Sequence, residues 1–300
     1  MLTDVPGVRV GHWTDAEAQT GCTAVILPEG TVASGEIRGG APATREFALL
    51  APHNIVQHVD AVVLSGGSAF GLAAGDGVMT WLESEGRGFP TKSGPVPIVV
   101  GMSLYDLAVG NSSVRPGAAQ GRIAASVASD DDHDVGLTGA GRGATVGKWG
   151  GPDTTEPGGI GAATMRSGDV IVSALVAVNA LGWIDDGRSV SDPGPRWSPP
   201  DTGLDVETPS DAASGNTTIG VVVTNAITDK TGCHLAAQSG HDGFARALQP
   251  VHTAADGDGL VVAATGQVEA DLAHLRVLVQ HAVVRAIRSL RPLTPTREMI

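Results

Sequence analysis

Short apolar runs rich in β-branched residues recur along this chain, separated by polar turns. They predict strands at residues 22–28, 31–37, 61–65, 97–101, 170–180, 217–225 and 259–265. Several of these runs are apolar at consecutive positions, so their sheets must be covered on both faces. Helices supply the cover. One is predicted from Gly67 to about Glu85, a second after Pro116 through RIAASVA, and a third from about Asp229 to Leu248. The clearest comes last, where Leu272, Leu275, Val279, Ala282, Val283, Ala286 and Leu290 share one face at helical spacing and belong to the core.

The stretch from Asp185 to Ser214 breaks this pattern: it is dotted with proline and has no periodic apolar face. It reads as an exposed, flexible connection, and connections this long inside a compact domain usually serve function or lack order. No internal repeat is evident. The later strands are therefore expected to complete the same sheets, giving one layered α+β domain over residues 1–300.

Composition sharpens this. Aromatic residues make up 3% of the chain while Gly numbers 42 and Pro 18, so the core must be built of Ala, Val and Leu. A net charge of −13 with no basic stripe argues against a nucleic-acid partner. Cys22 and Cys233 are too few for a disulfide scaffold. The start MLTDVPGVRVGHW has neither a basic nor an apolar leader, and the longest apolar run, residues 170–178, is about half a membrane span. A soluble, cytoplasmic protein with no membrane partner is expected.

Three constellations could carry chemistry. In LSGGSAFGLAAGDG, residues 64–77, a strand runs into a glycine turn and a helix, and the amides of such a junction can cradle an anion. It fits neither a dinucleotide loop nor a nucleophile elbow, because Phe70 stands where the elbow around Ser68 needs glycine. Its glycines read as close strand-to-helix packing beside a cavity. The run DDDHD at 130–134 reads as a solvated acidic loop, not a metal site. Asp256 and Asp258 flank one glycine just before an apolar strand, without the further ligands of a calcium loop. They are either a tight turn or a carboxylate pair at a strand mouth. Nearby His252 reads as packed or capping and not as a base.

The third constellation is GNTTIGVVVTNA, residues 215–226. A strand core opens directly on Asn216 and Thr217. A threonine hydroxyl is a weak nucleophile until something removes its proton, and a free α-amine, with a pKa of about 7.7 to 8.0, can do so. Cutting the bond before Thr217 would create that amine on the residue that needs it. The plainer alternative is a turn at Asn216 followed by good strand formers.

Taken together, RGG (38–40), LSGGSAFGL, GATVGKWG (143–150), AVNALG (177–182), GNTTIGVVVTN and PVHTAADGD closely resemble the P1-type peptidase family of DmpA-like L-aminopeptidase/D-esterases, β-peptidyl aminopeptidases and the nylon-oligomer hydrolase. The blocks run in the same order over nearly the whole chain. The resemblance implies an αββα sandwich of the N-terminal-nucleophile-hydrolase type, made as an inactive precursor. Cleavage between Asn216 and Thr217 would give chains 1–216 and 217–300 that stay together. Thr217 then matches the nucleophile. Where the aminopeptidase branch carries Ser and a downstream Ser-x-Glu, this chain has Thr217 and Asp256-x-Asp258, similar to the nylon-oligomer branch. Lys148 and Asn179 match that branch's active-site lysine and asparagine, with Asn179 suited to an oxyanion donor. Tyr105 matches a tyrosine lining the pocket, and Gly66, Gly67 and Ser68 are expected beside it.

The resemblance implies no metal and no cofactor. It points to small peptide, amide or ester substrates and a homo-oligomer, tetrameric in the family, of cleaved units. The tasks of Asp256 and Asp258 stay undivided. Two other readings remain: a self-cleaving acyltransferase of the ornithine acetyltransferase type, and a non-catalytic module holding an anion at Gly66–Gly67.

Overall fold

The structure, a computed structural model, describes residues 1–187 and 215–291. Most of the predicted flexible connection, residues 188–214, lies outside the described residues. In chain order, the strands of the two main sheets are β1 (Arg9–Asp15), β2 (Thr20–Ile26), β3 (Val32–Ile37), β4 (Thr44–Arg45), β5 (Ala61–Ser65), β6 (Val99–Ser103), β7 (Gly159–Ser167), β8 (Val170–Asn179), β9 (Thr217–Ala226) and β10 (Gly259–Val268). The helices are α1 (Ala74–Ser84), α2 (Ala118–Ser126), α3 (Lys230–Ala247) and α4 (Leu272–Arg288). The helix predicted from Gly67 opens as a 3₁₀ turn over Ser68–Ala73 before becoming α1. Asp229 and Asp271 cap α3 and α4 by accepting the amides of Gly232 and His274.

One sheet has the order β1-β2-β5-β6-β4 and the other β7-β8-β9-β10-β3. Each contains a single parallel pair, β5 with β6 and β9 with β10. Parallel neighbours need a crossover, and α1 and α3 lie in those connections.

Three apolar layers hold the sheets and helices together. Ala74, Val78, Leu82 and Ala124 of α1 and α2 pack on Ala24, Ile26 and Val63. Between the sheets, Val62, Leu64 and Val100 meet Leu175, Ile219, Val221 and Val223. Beyond the second sheet, Val172, Val176, Val222 and Val262 meet Phe244, Val279 and Val283 of α3 and α4. The result is the expected αββα sandwich. It also explains the unbroken apolar runs: with a side-chain period of two, odd and even residues of one strand feed different cores. Each Val or Leu so buried contributes about 1.5–3 kcal/mol.

Three strands of these sheets were not predicted: β1, β7 and the two-residue β4. In the acidic loop, Asp130, Asp131, Asp132 and Asp134 are exposed, but His133 departs from the solvated expectation. It is buried, and its Nε2 accepts the Leu2 amide at 3.1 Å, tying the loop to the amino terminus. Among the described residues no helix is long and apolar enough to cross a membrane.

Candidate active site

Thr217 is the first residue of β9 and shares its face with Ile219, Val221 and Val223, which point between the sheets. It is 4% exposed. Two neighbours in the sheet converge on it. Antiparallel β8 ends with Asn179 directly opposite Thr217. Parallel β10 starts at Gly259 opposite Ile219, and its lead-in brings Asp256 beside Asn216. The sheet register thus gathers residues far apart in sequence at one strand mouth.

The Thr217 hydroxyl donates to the carbonyl oxygen of Asn216, the residue before it. The same oxygen accepts the amide of Gly257 at 3.2 Å. The Lys148 ammonium lies 3.0 Å from the Gly215 carbonyl, 3.0 Å from Asn179 Oδ1, 3.0 Å from the Thr145 carbonyl and 3.2 Å from that of Asn179. Burial holds its pKa down to about 7, against the upward pull of Asp256. Asn179 uses all of its amide. Oδ1 accepts Lys148 and the Thr145 N–H at 2.9 Å, while Nδ2 donates to Gly215 at 2.9 Å and to the Tyr105 carbonyl at 3.0 Å.

The two carboxylates hold different partners. Asp256 accepts the Thr253 amide at 2.9 Å, the Thr253 hydroxyl at 2.6 Å and the Leu181 amide at 3.3 Å, fixing the turn that faces Asn216. Asp258, 1% exposed, accepts the Thr218 amide at 2.7 Å on one oxygen. Its other oxygen takes His252 Nδ1 at 2.7 Å and the His252 amide at 3.2 Å. Burial pushes the Asp258 carboxyl up from the usual carboxylate range, and the His252 hydrogen bond opposes that shift. The RGG block is the outer wall of this turn: the amides of Arg38, Gly40 and Ala41 donate to the carbonyls of Asp258, Thr253 and Asp256. A Cβ on Gly257 would come within 2.3 Å of the Ala41 carbonyl, so only glycine fits between the two carboxylates.

A cavity of about 170 Å³ opens beside the Asn216–Thr217 bond, lined by Ala41, Ser68, Tyr105, Gly215, Asn216 and Thr217 among others. Ser68 and Tyr105 are among its lining residues. Gly66 and Gly67 do not line it. Their amides are used internally, Gly66 by the Gly21 carbonyl at 2.8 Å and Gly67 by the Asp106 carboxylate at 2.7 Å. The glycine turn is closed by the chain's own anion, which also removes the ground for an anion-binding module there.

Thr217, Asn179, Lys148, Asp256 and Asp258 thus meet at one place with Tyr105 at its rim. The Asn179 amide holds the Gly215 carbonyl, while the Asn216 carbonyl is held by the Thr217 hydroxyl and the Gly257 amide. Sequence reasoning read His252 as packed or capping, without its contact to Asp258, and gave the Gly257 amide no role. Their signal was present in the HTAADGD block, where His252 is six residues ahead of Asp258. Among the described residues no group of His, Cys, Asp or Glu could hold a metal ion.

Comparison with known proteins identifies the family and the fold. The chain is 40% identical over 299 residues to an uncharacterised aminopeptidase of Mycobacterium leprae, covering 90% of this chain and 79% of that one. It is 33% identical over 278 residues to a 6-aminohexanoate-oligomer endohydrolase of a Kocuria species, covering 89% and 75%. Among solved structures, an L-aminopeptidase D-Ala-esterase/amidase of Ochrobactrum anthropi, described as a variant of the Ntn hydrolase fold, superposes with a TM-score of 0.72 at 17% identity over 96% of this chain and 85% of that one. A Burkholderia β-aminopeptidase gives 0.70 at 20% identity, with the same 96% and 85% coverage. The profile of Peptidase family S58 matches residues 1–293. With its sandwich fold and the polar cluster at Thr217, the chain belongs to peptidase family S58 and is a hydrolase of peptide or amide bonds.

Proposed function

We propose that the chain is made as an inactive precursor that cuts itself between Asn216 and Thr217, and that Thr217 then hydrolyses amide bonds of small peptides or amide oligomers. The observation that carries this reading is the contact between the Thr217 hydroxyl and the Asn216 carbonyl, whose oxygen is also held by the Gly257 amide. A nucleophile against a carbonyl with a fixed donor on its oxygen is the arrangement an acyl shift requires.

In the first step Thr217 Oγ1 bonds to the Asn216 carbonyl carbon. The C–N bond to Thr217 breaks, leaving an ester and a free α-amine. Water then hydrolyses the ester, releasing an Asn216 carboxylate and restoring the hydroxyl. Before the cut Thr217 has no amine of its own, and Lys148, whose pKa burial brings to about 7, serves as the base, taking the hydroxyl proton and passing it to the departing Thr217 nitrogen. After the cut the new amine takes over. It accepts the hydroxyl proton during attack on a substrate amide and passes it to the departing amine, and water clears the acyl-enzyme. Departure of Gly215 frees Asn179 and Lys148, which can then turn to the substrate's developing oxyanion.

Intact masses and amino-terminal sequencing of purified protein test this. Two fragments are expected, with Thr217 as a new amino terminus, and hydrolytic activity should accompany the cleaved form. An active, unbroken chain would overturn the reading.

A further inference from the structure

His252 has no place in the chemistry so far, yet it makes one of the two 2.7 Å contacts to Asp258. Its backbone is left-handed, with φ of 53°, a conformation that only a few side chains tolerate. That turn lets its amide and its ring reach the same Asp258 oxygen, at 3.2 and 2.7 Å. The ring is in turn walled by His241, edge-on at 4.9 Å, and by Phe244 at 6.0 Å, and its Nε2 faces the His241 carbonyl at 3.4 Å. The imidazole therefore has little room to swing.

We propose that His252 is a positioning residue for Thr217, acting through Asp258: it clamps one oxygen of the carboxylate so that the other holds the Thr218 amide and fixes the strand start on which Thr217 stands. Two backbone amides, which can only donate, address Asp258 from opposite sides, one on each oxygen. Both favour the carboxylate form as acceptor, and so assign the donated ring proton to Nδ1. The remaining charged neighbours are few. Asp256 presses on Asp258 from the same turn and Lys148 acts on Asp256, while Arg38, paired with Glu36 and Asp242, lies behind His241. His252 is thus the side chain that offsets the burial of Asp258. Its loss leaves the acid easier to protonate.

This inference rests on the self-cleavage reading, and its test separates the two. The full chain is made by cell-free synthesis as parent, His252→Gly and His252→Asn, and cleavage is followed by intact mass across the acid and neutral range. Glycine accepts the left-handed backbone but removes the ring; asparagine tolerates it and restores an N–H donor. The glycine variant is expected to cleave about tenfold or more slowly at neutral pH. Asparagine should recover most of that loss. Unfolding midpoints, read in an uncut Thr217→Val background, should stay within a few degrees. A glycine variant with the parent's rate and profile overturns the proposal, as does an asparagine variant that fails as fully as glycine while both melt far below the parent. A parent that never cleaves overturns the self-cleavage reading itself.

Discussion

Asn179 and Thr217 stand directly opposite one another in the antiparallel pair β8–β9, with their side chains on the same face of the sheet. Strand register alone sets that pairing, and a slip of one residue would turn Thr217 toward α3 and α4. Because the Asn179 amide answers four groups, Asn179→Ala strands the Thr145 amide and the Tyr105 carbonyl and leaves the Gly215 carbonyl to Lys148 alone. We expect a stability loss of about 1–3 kcal/mol in chemical denaturation. Hydrolysis by any cleaved material should fall on the order of a hundredfold in kcat, with less change in KM.

Lys148 gives processing a pH dependence whose sign is fixed. Burial favours the neutral amine, so the base form grows as pH rises toward about 7 and saturates above it. Cleavage in the parent should therefore accelerate with pH and level off near neutrality. Lys148→Arg keeps a cation but gives up no proton in this range, so it should cleave about a hundredfold or more slowly at every pH. A time course of fragment masses at several pH values measures both.

The layered fold was legible because every central strand feeds two cores, which writes itself as unbroken runs of Val, Ile and Ala. The two longer missed strands, β1 and β7, have a common cause. In β1 a Cβ on Gly11 would come within 2.1 Å of the Ala124 carbonyl of α2, and in β7 one on Gly161 within 1.9 Å of the Ala286 carbonyl of α4. Where a helix lies that close, the strand must carry glycine and loses the branched residues that announce it. The site divides in the same way. Thr217, Asn179, Lys148 and the Asp256/Asp258 pair were carried by whole sequence blocks. The Gly257 amide is a main-chain donor and the His252 contact depends on one left-handed residue, so the HTAADGD block flags both residues without writing what they do.

Gly257 supports a prediction of its own. Gly257→Ala places a methyl 2.3 Å from the Ala41 carbonyl, forcing the RGG wall away from the turn and moving the amide off the Asn216 oxygen. Overpacking of this kind costs about 1–3 kcal/mol. Loss of the oxyanion donor should slow cleavage by roughly a hundredfold. Denaturant titration and fragment mass against time report the two effects separately.

Replacement of Thr217 separates its chemistry from its packing. Thr217→Val keeps the branched shape in a site only 4% exposed and removes the hydroxyl alone. The hydroxyl makes one hydrogen bond, to the neighbouring Asn216 carbonyl, and that oxygen keeps the Gly257 amide, so no buried group is orphaned. The variant should fold with a melting point within a few degrees of an uncut parent and remain a single chain of full mass. Thr217→Ser takes the opposite course, keeping the nucleophile and giving up a buried methyl worth about 1 kcal/mol. It should still yield two fragments and still hydrolyse amides, with somewhat lower stability. Continued cleavage before residue 217 in the valine variant would place the nucleophile elsewhere in the cluster, whereas a serine variant that stays whole would leave the hydroxyl without its assigned role.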